Sequence, residues 1–134
     1  MSFSKSELIT PSGIRTHYLE AGSGAPVLLL HGSGPGVSAE ANWAQTIPTL
    51  AKNFHVYAPD MAGFGESGWP SEDVGIKLWV RQLIEFIDAL DLKPVCAVGN
   101  SFGGGLALAA TLRFPDHFRR LVLMGTPAGS FPQT

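Results

Sequence analysis

Four segments of continuously apolar sequence constrain the fold of this chain more than any other feature. They run from Pro26 to Leu30, Phe54 to Asp60, Pro94 to Asn100 and Arg120 to Gly125. A strand that is buried on both faces is apolar throughout, whereas apolar and polar residues alternate along a strand that has one face in solvent. These segments therefore predict the interior strands of a sheet that is covered by helices on both faces.

Helical segments separate these strands, which predicts an α/β fold with a mostly parallel sheet and right-handed crossovers. Apolar residues at helical spacing predict one helix with a core-facing stripe, made of Ile76, Trp79, Val80, Leu83, Ile87 and Leu90. A weaker helix, ANWAQTIPTLAKN, is interrupted by Pro48, and an Ala-rich helix, SFGGGLALAATLRF, ends before Pro115. At the N-terminus, SELIT and IRTHYLEAG flank the turn sequence PSG and predict a hairpin.

Composition excludes several classes of protein. The chain has 134 residues, of which 45% are hydrophobic and 15% charged, as expected for one packed domain over residues 1–134. The net charge is −2 and the basic residues are scattered, so we expect no nucleic-acid partner. Neither a signal peptide nor an apolar run of bilayer length is visible, which predicts a cytoplasmic protein that does not bind membranes. The single cysteine, Cys96, is expected to be a reduced core residue.

The sequence Gly99-Asn100-Ser101-Phe102-Gly103 matches G-x-S-x-G. An apolar strand precedes it and a small-residue helix follows it, which is the context of a nucleophile elbow rather than of an ordinary turn. Ser101 would then be exposed at a helix N-terminus, where the dipole favours developing negative charge. Glycines at 103, 104 and 105 each cost a helix roughly 1 kcal/mol relative to Ala. We therefore expect them to allow close approach of the helix to its sheet.

The loop sequence HGSGPG follows the first buried strand. A serine that attacks a carbonyl needs backbone N–H groups directed at the developing oxyanion. Phe102, directly after the nucleophile, and Ser33, in this loop, are the predicted donors. Gly32 and Gly34 would let the loop approach a substrate closely. His31 is expected to be a structural residue that hydrogen-bonds the loop.

Several stretches together resemble the N-terminal half of the α/β-hydrolases, and more narrowly the meta-cleavage-product hydrolases, which hydrolyse carbon–carbon bonds in aromatic degradation. These stretches are LLHGSGPGVSAEANW, VYAPDMAGFGES, VGNSFGGGLALA and RLVLMG. The resemblance implies a core truncated before the lid and last strands, with the lid expected to begin at GTPAGSFPQT. It also implies that Asn42 and Asn100 hold polar groups of a bound dienoate. We expect neither a metal nor a cofactor.

The serine of that family works with an acid and a histidine that follow it in the chain. After Ser101, this chain contains one acid, Asp116, and one histidine, His117, and both are predicted to lie at the opposite end of the sheet. The predicted function is therefore a weakened serine hydrolase that acts on carboxylic esters or on carbon–carbon bonds of vinylogous diketones. The alternative is a catalytically inactive fragment that folds by self-association.

Two further predictions concern other partners. The stretch GFGESG, from Gly63 to Gly68, formally matches the dinucleotide fingerprint, but that fingerprint must open a helix directly after a strand. Because residues intervene and Pro70 follows closely, we do not expect nucleotide binding. The last apolar strand would lack a neighbour on one edge, which predicts a homodimer or higher oligomer through that edge. The tail, with Phe131, would then act as a partial lid over the partner.

Overall fold

Six strands form one sheet in a computed structural model that describes residues 3–126. The spatial order of the strands is β1-β2-β4-β3-β5-β6. The strands are β1 (Ser4–Ile9), β2 (Arg15–Ala21), β3 (Ala25–Leu30), β4 (Phe54–Pro59), β5 (Val95–Asn100) and β6 (Phe118–Met124). The helices are α1 (Ala39–Trp43), α2 (Ile47–Leu50), α3 (Ile76–Ala89) and α4 (Phe102–Arg113), and a short 3₁₀ helix spans Pro115–His117.

The pairing of the strands confirms a mostly parallel sheet with an N-terminal hairpin. β1 pairs with β2, and β2 with β4, in antiparallel fashion. β3 lies between β4 and β5 and is parallel to both, and β6 is parallel to β5. The chain thus moves from β3 to one neighbour and then crosses back to the other, so the loops after β3 and β5 meet at the carboxyl edge. Ligands of open α/β sheets bind at such reversal points.

Helices cover both faces of the sheet. α3 and α4 pack on one face, where the larger core includes Leu28, Leu83, Phe86 and Leu106. α1 and α2 cover the other face over β2, β3 and β4, with Trp43 in the core. The predicted interruption near Pro48 is confirmed, because this proline lies in the first turn of α2, which is separate from α1.

The apolar stripe of α3 differs from its prediction at one end. Val80, Leu83 and Ile87 are buried as predicted, but Ile76 is 45% exposed. Ile76 begins the helix near the loops of the carboxyl edge, where it lines a cavity beside Ser101. The stripe is also wider than predicted, since Leu78, Ile84 and Phe86 are buried too.

The segment before β6 lies where the sequence predicted. Asp116 and His117 are in the 3₁₀ helix that leads into the amino end of β6, the end opposite Ser101. Nε2 of His117 is 2.8 Å from Oδ1 of Asp88. β6 itself begins at Phe118, two residues earlier than predicted, because Phe118 pairs with Val95.

Strand β6 forms one edge of the sheet in the described residues, where it pairs only with β5. Its side chains Val122 and Met124 are 53% and 46% exposed. Beside them an apolar groove of about 360 Å³ runs along the face that α1 and α2 leave open, with Cys96 and Val98 in its wall. Cys96 is a free thiol as predicted, but it is half-buried and lines this groove instead of lying fully in the core.

No helix between residues 3 and 126 combines the length and apolar character that crossing a membrane requires.

The different burial of Leu83 and Ile76 can be tested by comparing the stability of two variants of α3. Replacing Leu83, which is fully buried, with Ala removes a core side chain, and we expect a loss of about 2–5 kcal/mol in the free energy of unfolding. Ile76→Ala is the control and should cost well under half as much, since its side chain is 45% exposed. Urea unfolding followed by circular dichroism measures both. Equal losses would show that Ile76 packs in the core after all.

Candidate active site

Ser101 occupies a strained turn between β5 and α4. Its backbone angles are φ +53° and ψ −110°, a left-handed conformation that costs a non-glycine residue roughly 1–3 kcal/mol. Its N–H donates to the carbonyl of Met124 at 2.7 Å. Its carbonyl accepts from the Gly105 N–H and from Oγ1 of Thr126, each at 3.1 Å. The turn is therefore held between the end of β6 and the first turn of α4.

Two glycines let α4 approach the sheet closely enough to form this turn. A Cβ on Gly99 would lie 2.5 Å from the Gly103 carbonyl oxygen and from the Gly104 backbone. A Cβ on Gly103 would overlap the backbone carbonyl of Leu30. The helix N-terminus thus rests directly on the ends of β3 and β5. This outcome confirms the predicted role of Gly103.

The other two glycines of α4 differ from each other. A Cβ on Gly104 would overlap the side chain of Thr126, so Gly104 also serves close packing. A Cβ on Gly105 would meet no atom within 4 Å. The prediction that all three glycines serve helix–sheet packing is therefore wrong for Gly105, which faces open space instead.

Ser33, Ser101 and Phe102 line one cavity of about 520 Å³. The rest of its wall is mostly apolar and is formed by Ile76, Gly105, Leu106, Ala109 and Thr126. The N–H groups of Ser33 and Phe102 find no hydrogen-bond acceptor among residues 3–126. Ser33 and Phe102, whose N–H groups are unpaired, thus line the same cavity as Ser101 and remain candidate oxyanion donors.

The two predicted asparagines lie together and brace the loop after β3. Oδ1 of Asn42 accepts the Gly32 N–H at 2.8 Å and the side-chain amide of Asn100 at 2.9 Å. The NH₂ group of Asn42 and Oδ1 of Asn100 make no hydrogen bond to the residues that the structure describes. The pair thus fixes the loop that carries Ser33 and still offers one donor and one acceptor.

The remaining predicted glycines lie outside the walls of the Ser101 cavity. The Gly32 N–H is already bonded to Asn42 and is not free for a ligand. Gly34, at φ +132°, borders a separate cavity of about 510 Å³ between residues 34–38 and 63–66. Both glycines therefore shape the loop, and Ser33 between them is the residue that reaches the Ser101 cavity.

His31 is a structural histidine, as predicted. It is fully buried, with Nδ1 2.6 Å from the carbonyl of Gly32 and Nε2 accepting the Met61 N–H at 3.0 Å. Burial lowers the pKa of His31 from its ordinary 6.5, although the Gly32 carbonyl and Asp60 oppose this shift. The neutral ring joins the loops after β3 and β4.

Asp60 is a buried junction that sequence analysis did not identify as structural. Its Oδ1 accepts the Ala39 N–H at 2.7 Å, and its Oδ2 accepts the Glu66 N–H at 2.9 Å and lies 3.0 Å from Nδ1 of His17. It thereby fixes the start of α1, the helix that carries Asn42. An acidic residue at the end of an apolar strand was the only sequence signal for this role. It was not sufficient, because the hydrogen-bond partners of Asp60 are remote in sequence.

Each of the four histidines of the chain is engaged away from Ser101. His17 contacts Asp60, and His31 bridges two loops. Nε2 of His55 lies 2.6 Å from Glu20, and His117 contacts Asp88. None of them therefore lies against the serine hydroxyl as a general base.

Comparison with known proteins places this geometry in a family. A family model described as the alpha/beta hydrolase fold matches residues 25–134. The chain belongs to the α/β-hydrolase family.

Individual relatives of this α/β-hydrolase chain confirm the resemblance to meta-cleavage-product hydrolases. It is 49% identical over 127 residues to a 2-hydroxymuconate semialdehyde hydrolase of Pseudomonas sp. strain CF600, covering 94% of this chain and 45% of the relative. It is 48% identical to a 2-hydroxy-6-oxo-2,4-heptadienoate hydrolase of Pseudomonas putida, covering 95% of this chain and 46% of the relative. The structure of a meta-cleavage product hydrolase from Pseudomonas fluorescens IP01 superposes with a TM-score of 0.90 at 46% identity, covering 94% of this chain and 46% of that one. The chain thus spans about 45% of the length of such relatives.

The glycine-rich loop after β4 of this α/β-hydrolase chain has no dinucleotide-binding geometry. No helix begins at Gly63, Gly65 or Gly68, and the next helix, α3, starts at Ile76. A Cβ on Gly65 would overlap the Asp60 carboxylate, so this glycine serves the Asp60 junction. Residues 3–126 also contain no cluster of three side chains suited to hold a metal ion.

The lowered pKa of His31 predicts a pH-dependent stability. The unfolded chain takes up a proton on this histidine as pH falls through about 6.5, whereas the folded chain resists it. The free energy of unfolding should therefore be full above pH 6.5 and fall as pH decreases toward 5. Urea unfolding across this range, compared with His31→Gln, measures the effect. The variant should be less stable at pH 7.5 but show a smaller decline, and parallel declines would contradict this account of His31.

Proposed function

We propose that the chain carries the nucleophile of a serine hydrolase of the meta-cleavage-product type. Ser101 would attack the carbonyl carbon of a small-molecule carboxylic ester or dienoate. The observation that supports this most directly is the strained Ser101 turn, beside a cavity that Ser33 and Phe102, two residues with unpaired N–H groups, also line. The names of the similar hydrolases support the dienoate class.

The proposed chemistry is addition followed by bond cleavage. The Ser101 oxygen bonds to the carbonyl carbon as its proton passes to a general base, and the carbonyl oxygen takes up the negative charge that the two N–H groups would stabilise. With an ester, the intermediate collapses to an acyl-enzyme, and the departing alkoxide takes up the proton that Ser101 lost and leaves as the alcohol. Water then hydrolyses the acyl-enzyme to the carboxylic acid and free Ser101.

With a vinylogous diketone, the substrate first ketonises, and Ser101 or water adds to the carbonyl. The carbon–carbon bond then breaks, and its electron pair leaves with one fragment as an enol. The attacked carbonyl becomes a carboxylic acid, either directly after addition of water or by hydrolysis of the Ser101 acyl-enzyme.

Polar groups at the loop after β3 would orient the substrate. The free NH₂ group of Asn42 and the free Oδ1 of Asn100 are one donor and one acceptor for polar groups of a dienoate. Gly32 and Gly34 contribute by shaping the backbone that presents Ser33. These assignments keep the attacked carbonyl near Ser101 while the polar end of the substrate lies toward the asparagines.

General-base catalysis is assigned to a histidine from outside these residues, since all four histidines of the chain are engaged elsewhere. By itself the chain should then be a weak hydrolase. Activated esters need little acid catalysis of their leaving group, whereas carbon–carbon cleavage needs proton transfer. Turnover of p-nitrophenyl acetate should therefore exceed turnover of a dienoate.

Labelling by a fluorophosphonate tests the nucleophile. We expect a single adduct at Ser101, found by mass spectrometry of the digested protein, because this serine lies beside the oxyanion donors. Ser101→Ala should abolish both the adduct and any p-nitrophenyl acetate turnover. Because no histidine of the chain assists Ser101, His17→Ala, His55→Ala and His117→Ala should leave the labelling rate nearly unchanged, provided that they fold.

Several results would count against the proposed nucleophile. An adduct at another serine would reassign it, and esterase turnover that survives Ser101→Ala would remove it. Absence of both labelling and turnover would favour the alternative, a catalytically inactive fragment. A large loss of labelling in one folded histidine variant would show that this histidine acts as the base.

Self-association through β6 is a second proposal, supported by the exposed apolar side chains on that edge. Two copies would pair antiparallel about a two-fold axis, so that one sheet continues across both chains. The predicted contribution of the tail and Phe131 concerns residues 127–134, which lie outside the described residues, as does most of the predicted lid segment. A cytoplasmic location is likewise still a prediction.

A charge on the edge strand tests this pairing. Val122→Lys places an ammonium group at the centre of the proposed contact, and we expect it to shift a dimer toward monomer at micromolar concentration. Leu112→Lys, on α4 at a position that is 77% exposed, is the control and should leave the dimer intact. Light scattering over a dilution series measures the mass. A folded, monomeric wild-type chain at micromolar concentration would refute the edge contact.

A further inference from the structure

Close packing explains the other glycines of the elbow, but it does not explain Gly105. Side chains on Gly99, Gly103 and Gly104 would collide with neighbouring atoms, so these three are needed for packing. Gly105 does not need a left-handed backbone, and a Cβ there would meet no atom within 4 Å. Since glycine weakens a helix, alanine at position 105 would be both tolerated and more stable. Packing and backbone conformation therefore do not explain Gly105.

The open space beside Gly105 is the cavity that contains Ser101. Gly105 is half-buried, forms part of the wall of the 520 Å³ cavity, and follows Ser101 by one helical turn. A side chain at position 105 would therefore extend into the cavity that Ser101 also lines.

The wall around this volume indicates what kind of group it receives. Ile76, Phe102, Leu106 and Ala109 are apolar, and the hydroxyl groups of the wall come from Ser33, Ser101 and Thr126. No charged side chain of residues 3–126 lines this cavity. An uncharged alkyl or aryl group fits such a wall, whereas a carboxylate would be desolvated without a partner.

We propose that Gly105 is a specificity-determining residue, whose missing side chain leaves room for the alkyl or aryl substituent on the carbonyl carbon that Ser101 attacks. This inference rests on the proposed function of Ser101. The size of residue 105 sets the largest substituent that reaches the nucleophile, and small substituents react whether or not that space is filled.

A pair of probes that differ only in size tests the inference. An ethyl and an octyl fluorophosphonate are reacted with the wild type, Gly105→Ala and Gly105→Leu, and the rate of the Ser101 adduct is followed by mass spectrometry. Gly105→Leu should lower the octyl-to-ethyl rate ratio by about tenfold or more, with the ethyl rate nearly unchanged. Thr111→Leu places the same side chain on α4 outside the cavity wall and should leave the ratio unchanged.

Stability separates the role of Gly105 from packing. Gly105→Ala should raise the melting temperature by roughly 3–5 °C, because the helix gains stability without a collision. Gly103→Ala should lower it, because its Cβ would overlap the Leu30 carbonyl. A fall in melting temperature for Gly105→Ala, or an unchanged probe ratio in folded Gly105→Leu, would overturn the inference.

A binding measurement that requires no reaction at Ser101 tests the cavity independently of the nucleophile. If neither probe labels Ser101, the proposed function fails, and the cavity is then tested with 2-octanone by amide chemical shifts in the ¹⁵N-labelled protein. Shifts at Gly105 and Leu106 that are present in the wild type and lost in Gly105→Leu support the inference. Absence of these shifts in the wild type overturns it.

Discussion

The contact between the N-terminus of α4 and the carboxyl ends of β3 and β5 is the constraint on which the candidate site depends. Backbone meets backbone there, because Gly99 and Gly103 have no side chains that would hold the elements apart. This close approach forces Ser101 into a left-handed conformation, and hydrogen bonds to Met124 and Thr126 hold it. Strain of this kind persists only where the surrounding structure over-determines the backbone.

The loops at the carboxyl edge form a second rigid unit around the first. Neutral, buried His31 joins the loops after β3 and β4, and Asp60 ties the latter to the start of α1. Through α1, Asn42 holds the backbone that carries Ser33. His31, Asp60 and Asn42 thus hold the loops around Ser33, and the histidines make these contacts away from the Ser101 hydroxyl.

The described residues bring the candidate nucleophile and the candidate oxyanion donors to one cavity, whereas the four histidines are engaged elsewhere. Residues that follow β3 and β5 and residues of α4, among them Ser33, Ser101 and Phe102, line one mostly apolar cavity. The end of β6 supports the same turn through Met124, while its outer edge and the apolar groove beside Val98 stay exposed. A contact on the outer edge of β6 would act on the strand whose end accepts the Ser101 N–H.

Most of the fold and the centre of the site followed from sequence. Continuous apolar runs predicted the interior strands, turn residues predicted the hairpin, and a strand–G-x-S-x-G–helix context predicted the elbow, because these signals are local. Three features could not be predicted from the sequence, because each depends on which distant elements pack together. They are the exposure of Ile76, the open space at Gly105 and the hydrogen bonds of Asp60. The sequence by itself determined which residues are candidates for nucleophile and oxyanion donor. Only the tertiary structure decided which glycines are required for packing and which histidines are already engaged, since collisions and hydrogen bonds exist only between elements that folding brings together.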